Sequence, residues 1–495
     1  MQNVPVVKNA IVAVSRDCFP LTLSVTRRDA VVSSCHSKGI DVINIQKVIE
    51  NERDTLEVLK ELKDIGVNAL TIFLGNFGPE GPETMLAQRF EGPVMFAAAS
   101  EEDTSVLSSD RGDAYCGMLS ASYNLKLRKT RVYIPEYPVG SADDVADMIR
   151  DFQDVARVII GIKGLKIISY GPRPQDFLAC NAPIQPLFDL GVEIMENSEL
   201  DLFEAYNNHK GDPRISNLAR EYEVELKGKT TYSDLSAKLA QYELTLMDLM
   251  EANKGACNYV VFANKCWPAF QTQFHFVPCY INGRFASRGI PIACETDIYG
   301  ALSEYILVCA TGLAPTLLDI NNTIPLDMYE KFIKGQYDYT NKELFMGFHC
   351  GNTPVCYVKE PVMSYQLIMN RLIEEGKEPY VSRGCLNGRL KANPVTLFRL
   401  QSSSDCKLKS YMTHGEILDV DPCSFGGIGI IGVKEMNRFY RHVLLEKQFP
   451  HHSAVGFTHA GKTLYDAMKL LGISDVSYNQ PKWERYPGEN PFTRD

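Results

Sequence analysis

Over roughly the first 165 residues, short apolar runs alternate with stretches in which apolar positions recur every three to four residues. The runs at 10–14, 41–45, 69–74 and 93–98 read as strands, and the stretches at 21–37, 54–65 and 143–158 as helices. Strands separated by helical segments of about ten to fifteen residues imply βαβ units and a parallel sheet. The run at 69–74 ends in Gly75-Asn76-Phe77-Gly78-Pro79-Glu80-Gly81-Pro82, a turn-rich sequence.

The same grammar restarts at residue 166. Strands are expected at 166–170, 192–195, 259–263 and 290–294, with helices at 233–252 and from the end of the last strand to 310. Beyond about residue 320 the texture changes to short runs and turns, at 354–358, 395–400 and 407–414, with one late helix at 462–471 closed by Gly472. The expected architecture is α/β. It has two Rossmann- or flavodoxin-like parallel-sheet domains, over 1–165 and 166–315, and then a β-rich, antiparallel, barrel-like domain over 316–495.

With 495 residues, 45% of them hydrophobic, the chain can bury several cores. A net charge of −10 without a Lys/Arg run argues against nucleic acid as a partner. No stretch approaches the roughly 18 apolar residues of a membrane span, and the N-terminal sequence lacks the pattern of a signal peptide. The 14 cysteines are scattered without a CxxC, as buried reduced thiols would be. The expectation is a cytoplasmic protein.

The most informative stretch runs from Gly289 to Asn322. A buried strand at 290–294 leads directly into Glu295, and a helix begins within a residue or two, with Thr296 as the expected N-cap and Asp297 in the first turn. A second short strand, 316–318, runs into Asp319. Both acids then stand at the carboxyl ends of strands flanking one helix, the side on which open α/β sheets bind ligands. If those strands pair in parallel, the two carboxylates lie about 4.8 Å apart and repel unless they share a proton or a cation. Hard oxygen donors with room for one imidazole suit Mn²⁺ or Mg²⁺. Taken singly, each acid would read as an ordinary helix-terminal or loop-capping residue.

Of nine histidines, the densest group is Pro450-His451-His452 followed by His459, expected in a loop before the last helix. Neutral imidazole is the commonest metal donor, and the adjacent pair is the candidate source of it. His349 sits in the turn-like Phe348-His349-Cys350-Gly351-Asn352, where Asn352 offers an amide for hydroxyl recognition. His36, His209, His275, His414 and His442 read as structural.

These residues resemble the L-fucose/L-arabinose isomerase family: Cys-Glu-x-Asp-x-x-Gly-Ala-Leu at 294–302, Asp319, His-Cys-Gly-Asn at 349–352, and the His-rich segment before a terminal helix. The resemblance implies an aldose–ketose isomerase, of the L-fucose, D-arabinose or L-arabinose type, that uses Mn²⁺ (Mg²⁺ and Co²⁺ being the alternatives). It implies Glu295, Asp319 and His452 as metal ligands, with the two carboxylates also performing the acid–base chemistry in roles left open between them. His452 is preferred to His451 because it precedes His459 by seven residues, a spacing similar to the family's L-fucose branch. The resemblance further implies a homotrimer or homohexamer in which one subunit's first domain lines its neighbour's pocket. Arg16 resembles the family's basic substrate contact there, and Phe77, Trp267, His349, Asn352 and His451 are further candidate substrate contacts. The chain is shorter than typical L-fucose isomerases and has His451 where they have Asn, so the sugar is the open question.

Two other classes compete. A non-catalytic sugar sensor would not need an acid–acid–histidine constellation, and a metal-dependent aldolase or lyase on phosphorylated sugars should show a phosphate cradle. The glycine-rich segment 426–432 lies in β-rich sequence and follows no βα signature, so it gives no nicotinamide fingerprint.

Overall fold

The computed structural model describes residues 3–229, 233–368 and 380–492. The chain divides into two units, one of Pro5–Gly161 with Asp466–Gly472, the other of Met1–Val4, Ile162–Tyr465 and Ile473–Asp495.

The first unit holds β1 (Asn9–Val14), β2 (Ile43–Ile49), β3 (Ala69–Leu74), β4 (Val94–Ala99) and β5 (Val139–Gly140). They form one parallel sheet in the order β2-β1-β3-β4-β5. Strands β1, β3 and β4 are buried along their whole length, which is why they read as unbroken apolar runs. The helices fall at Leu21–Ser37, Glu52–Asp64 and Ala142–Lys163, close to the pattern's positions. Asn51 and Asp54 form a reciprocal capping box that fixes the start of the second. The end of the turn-rich 75–82 sequence is already helix Glu80–Arg89. Helix Ala114–Leu127 has no counterpart in the sequence pattern. Its outward residues Tyr115, Leu119, Tyr123 and Leu127 are exposed, while Ala114, Gly117, Met118, Ala121 and Leu125 are buried, so both faces are apolar and the usual polar–apolar contrast is missing.

The second unit carries two sheets. Strands β6 (Leu165–Tyr170), β7 (Glu193–Asn197), β8 (Tyr259–Ala263) and β9 (Ile292–Ala293) make a parallel sheet in the order β7-β6-β8-β9. The expected strand at 290–294 is therefore reduced to two residues. The other sheet contains β10 (Pro315–Asn322), β11 (Leu344–His349), β12 (Val358–Tyr365), β13 (Arg383–Leu390), β14 (Asn393–Ser402), β15 (Leu408–Leu418), β16 (Gly427–Gly432), β17 (His452–Gly456) and β18 (Asp475–Tyr478). Its order is β12-β13-β16-β11-β10-β17-β14-β15-β18, mostly antiparallel. A further pairing of β15 with β16 closes six of these strands into a ring, the barrel-like β-rich part expected from the texture beyond residue 320. The glycine-rich 426–432 segment supplies β16, buried throughout, not a phosphate loop. The expected strand at 354–358 is instead a short 3₁₀ turn, Val355–Tyr357, ahead of β12.

Helix Ile298–Thr311 is the hinge-pin of this unit. Nearly every side chain from Ile298 to Ala310 is buried, and it packs on β8 of one sheet and on β10, β14 and β17 of the other. Ser303 and Glu304 aside, it is apolar all round, as suits a helix between two sheets. Among the described residues, no helix is long and apolar enough to cross a membrane.

Candidate metal centre and active site

Strand register assembles most of the site. In the β10–β17 pairing Asp319 lies opposite His452, and in the β10–β11 pairing it lies opposite Phe348, with His349 next in line. Asp319 and His452 are thus strand residues, and two expectations are corrected here. His452 opens β17 instead of lying in a loop, and Asp319 sits within β10, not past its end. Nor are the strands bearing the acids neighbours: β9 and β10 belong to different sheets. The carboxylates meet because the helix between them turns the chain from one sheet to the other.

Glu295 enters from the turn between β9 and that helix, with φ 62° and ψ 25°; Thr296 follows with φ 54°. Left-handed backbone at two consecutive non-glycine residues costs on the order of 1–3 kcal/mol each and persists only where the surroundings impose it, as they often do at functional sites. The Thr296 N–H donates to the Asn264 carbonyl at 2.7 Å, which anchors the turn to the end of β8. The N-cap of the helix is Asp297, not Thr296: its carboxylate accepts from the Gly300 N–H at 2.8 Å.

Nε2 of His452 lies 3.2 Å from Oε2 of Glu295 and 3.5 Å from Oδ1 of Asp319. All three atoms are buried, and none has a hydrogen-bond partner. Buried polar atoms without partners are rare in folded proteins. Three of them converging from separate elements are what a shared cation would satisfy, and two hard oxygens with one imidazole suit Mn²⁺ or Mg²⁺. His451 is farther out, its Nε2 3.9 Å from Asp319 and its ring more exposed.

The other nitrogen of His452 is engaged. Nδ1 is 2.8 Å from Oδ2 of Asp297 and 3.7 Å from Sγ of Cys180. Asp297 in turn accepts from Nη1 and Nη2 of Arg399 at 2.6 and 2.8 Å, and Arg399 also donates to Oε1 of Gln401. Burial alone would raise the Asp297 pKa, but the Arg399 charge and the hydrogen bonds of His452 and Arg399 outweigh it and hold the group ionised, below the usual carboxylate range. Nδ1–H of His452 therefore donates to Asp297, and Nε2 faces the acids, where a bound cation would take its lone pair in place of a proton, the carboxylate–histidine arrangement found behind many metal sites.

Among the described residues, three groups bring possible ligand atoms within 4.8 Å of one another: Glu295 with His451 and His452, Asp319 with His349 and His452, and Cys180 with Asp297 and His452. In the last group Asp297 and Nδ1 of His452 already satisfy each other, so the open side is that of Glu295 and Asp319.

The titration of the metal-free site follows from burial. It raises the Asp319 pKa to about 7, with the His452 charge opposing and the Glu295 charge adding. Burial would lower the His452 pKa, yet Asp297, Cys180 and Glu295 beside the ring raise it well above 6.5. Burial, then the His452 charge, lowers His349 to about 3 and His451 to about 4.

The walls are aromatic and polar. Phe177 meets the His451 ring edge-on at 5.6 Å and the Trp267 ring at 6.2 Å, so Trp267 and His451 belong to one lining. Asn352 is buried with its Oδ1 unpartnered, while its Nδ2 donates to the Leu317 carbonyl. Arg16 and Phe77 lie in the other unit, at the ends of β1 and β3, with the guanidinium 4.7 Å over the ring.

Asp297 has a larger part than a first-turn acid, and Arg399, Cys180 and Phe177 escape the sequence pattern. For Arg399 a signal exists: an arginine inside the apolar run Val395-Thr-Leu-Phe-Arg-Leu400 must be paired if that strand is buried. Cys180 and Phe177 lie in an irregular segment after β6 that offers no such clue.

The profile of the fucose/sulfoquinovose isomerase N-terminal domain matches residues 10–163, and that of the L-fucose isomerase C-terminal domain matches 347–478. The chain is similar to proteins named sulfoquinovose isomerase. The one from Alkalicoccus urumqiensis is 24% identical over 323 residues, covering 64% of this chain and 65% of the relative. The one from Clostridium sp. (strain MSTE9) is 25% identical over 300 residues (60% and 61%), and that from Priestia megaterium 28% over 274 (54% of each). Each match thus spans less than two thirds of the relative's length. With the two domain profiles together covering more than half of the sequence, the chain belongs to the fucose isomerase-like family.

Proposed function

We propose that this protein is a divalent-metal-dependent aldose–ketose isomerase that acts on a free sugar through an enediol intermediate. The observation that carries the reading is the convergence of three unpartnered buried atoms, Oε2 of Glu295, Oδ1 of Asp319 and Nε2 of His452. These residues would hold the cation, Mn²⁺ in first place with Mg²⁺ or Co²⁺ as alternatives. When bound, it would polarise the sugar carbonyl and make the neighbouring C–H more acidic.

The protein's own groups do the rest. One of the two carboxylates takes the proton from C2 and returns it to C1, while the other moves a proton between O1 and O2. C1 is reduced as C2 is oxidised, so no electron carrier is needed. Trp267, Phe177 and His451 form an apolar wall that limits water, and the free Oδ1 of Asn352 can accept a hydrogen bond from a sugar hydroxyl. Arg16 and Phe77 are included as substrate contacts, in a homotrimer or homohexamer, on the strength of the family resemblance. A cytoplasmic setting suits the 14 free thiols.

The relatives' names favour a sulfonated aldose; the residues of the site favour any aldose with adjacent carbonyl and hydroxyl groups. Sulfoquinovose, L-fucose, D-arabinose and L-arabinose should each be assayed for ketose formation with Mn²⁺ present, and at least one is expected to turn over. Binding of Mn²⁺ and sugar with no ketose from any of the panel would reject the isomerase in favour of a sugar-binding protein.

A further inference from the structure

Two buried histidines lie beside the carboxylates, and their Nδ1 atoms are held by partners of opposite kind. His452 presents Nδ1 to the Asp297 carboxylate, which can only accept. His349 receives at Nδ1 the backbone N–H of Cys350, at 2.8 Å, and a backbone N–H can only donate. The first ring must carry its proton on Nδ1. The second must have a lone pair there, and its proton therefore sits on Nε2.

His349 closes β11 beside Asp319, is 4% exposed, and has a ring nitrogen within 4.8 Å of Asp319 and His452 ligand atoms. The two imidazole rings are 5.9 Å apart and tilted by 36°. Among the described residues no hydrogen bond engages Nε2 of His349. An N–H cannot coordinate a cation, but it can donate to an oxygen.

We infer that His349 is not a metal ligand but an N–H donor to a substrate oxygen, so that the two histidines of the site serve in opposite tautomers. Charge grows on the sugar oxygens as the proton leaves C2, and a fixed donor inside a dry pocket stabilises that charge more than it stabilises the starting sugar. The assignment rests on the isomerase reading for its chemical role. The tautomer and the ligand count are testable without it.

The experiment compares wild type, His349→Ala, His349→Gln and His452→Ala, reading Mn²⁺ affinity by calorimetry and turnover on the best sugar of the panel. His349→Ala is expected to bind Mn²⁺ within about threefold of wild type and to lose about 10²–10³-fold in kcat with little change in KM. The amide of His349→Gln should restore part of that loss. His452→Ala should lower Mn²⁺ affinity by at least about tenfold. Nitrogen spectra of the ¹⁵N-histidine-labelled protein, metal-free and with diamagnetic Mg²⁺, should show His349 protonated at Nε2 in both states. Loss of Mn²⁺ affinity in His349→Ala equal to that in His452→Ala, or an Nδ1–H spectrum, would overturn the assignment. Unchanged kcat in His349→Ala would overturn the donor role. If wild type isomerises nothing, the functional reading fails, while affinity and spectrum still decide whether His349 is a ligand.

Discussion

Arg399 and Asp297 meet as a two-pronged pair, at 2.6 and 2.8 Å, with the side chains 0% and 1% exposed and 102 residues apart in the chain. Two opposite charges out of water are tolerable only because each satisfies the other and the remaining hydrogen-bonding positions are filled by His452, Gly300 and Gln401. The pair aims His452 at the carboxylates.

From this pair comes the first prediction. Arg399→Met leaves a buried carboxylate without its cation and should cost about 3–5 kcal/mol of stability, read by denaturant titration. Asp297→Asn keeps the shape, but an amide cannot accept from every donor that now surrounds the carboxylate. Mn²⁺ affinity should fall about 10–100-fold. Wild-type affinity in a folded Asp297→Asn protein would show that the pair has no hold on His452.

The second concerns the acids. Glu295→Gln and Asp319→Asn should each lower turnover by at least about 10²-fold, the lower bound for a positioned acid–base group. Either variant retaining full turnover with normal metal content would remove that residue from the mechanism. His452→Ala should reduce metal occupancy more than His451→Ala, because only Nε2 of His452 stands between both carboxylates.

Removal of metal should abolish activity and lower the melting temperature, since a cation held only by the folded state stabilises it by mass action. Mn²⁺ should restore both. Full isomerisation by chelator-treated, metal-free protein would contradict the mechanism.

The pH dependence of the metal-free protein carries a definite sign. The folded-state pKa values of Asp319, about 7, and of the buried Glu304, about 8, lie above their ordinary values, and that of His452 lies well above 6.5. Such groups hold protons in the folded state that the unfolded chain has already released, so stability falls as pH rises toward those values. His349 and His451, lowered to about 3 and 4, act in the opposite direction, but only below 6.5. Between pH 6.5 and 8 the metal-free protein should therefore lose stability as pH rises. Bound Mn²⁺ takes the place of the protons on Asp319 and His452 and should flatten or reverse the slope. Melting temperatures with and without Mn²⁺ across that range check it; a metal-free protein that gains stability toward pH 8 would contradict it.

Local pattern made much of this legible. Buried parallel strands such as β3 and β8 announce themselves as apolar runs, and the Glu295 and Asp319 neighbourhoods stand out because acids follow such runs directly. What stayed hidden depends on pairing at long range. That Asp319 faces His452 is a fact of β10–β17 register across 133 residues, and neither segment contains it alone. The left-handed turn at Glu295 is likewise imposed from outside, by the Asn264 carbonyl, on residues with no preference for it. The same limit left open whether the two acids' strands are neighbours: spacing along the chain does not say which sheet a strand joins.

The site's groups are also unequally free to move. Asp319, His349 and His452 belong to three adjacent strands, β11-β10-β17, inside the closed ring, so they are fixed to one hydrogen-bonded lattice and shift only as a body. Glu295 sits instead on a two-residue left-handed turn outside that lattice. A cation leaving this site would lose its hold on Glu295 first, with the rest of the cage intact. Amide exchange should report that difference in metal-free protein, faster at Glu295 than at Ser453 and Ile320.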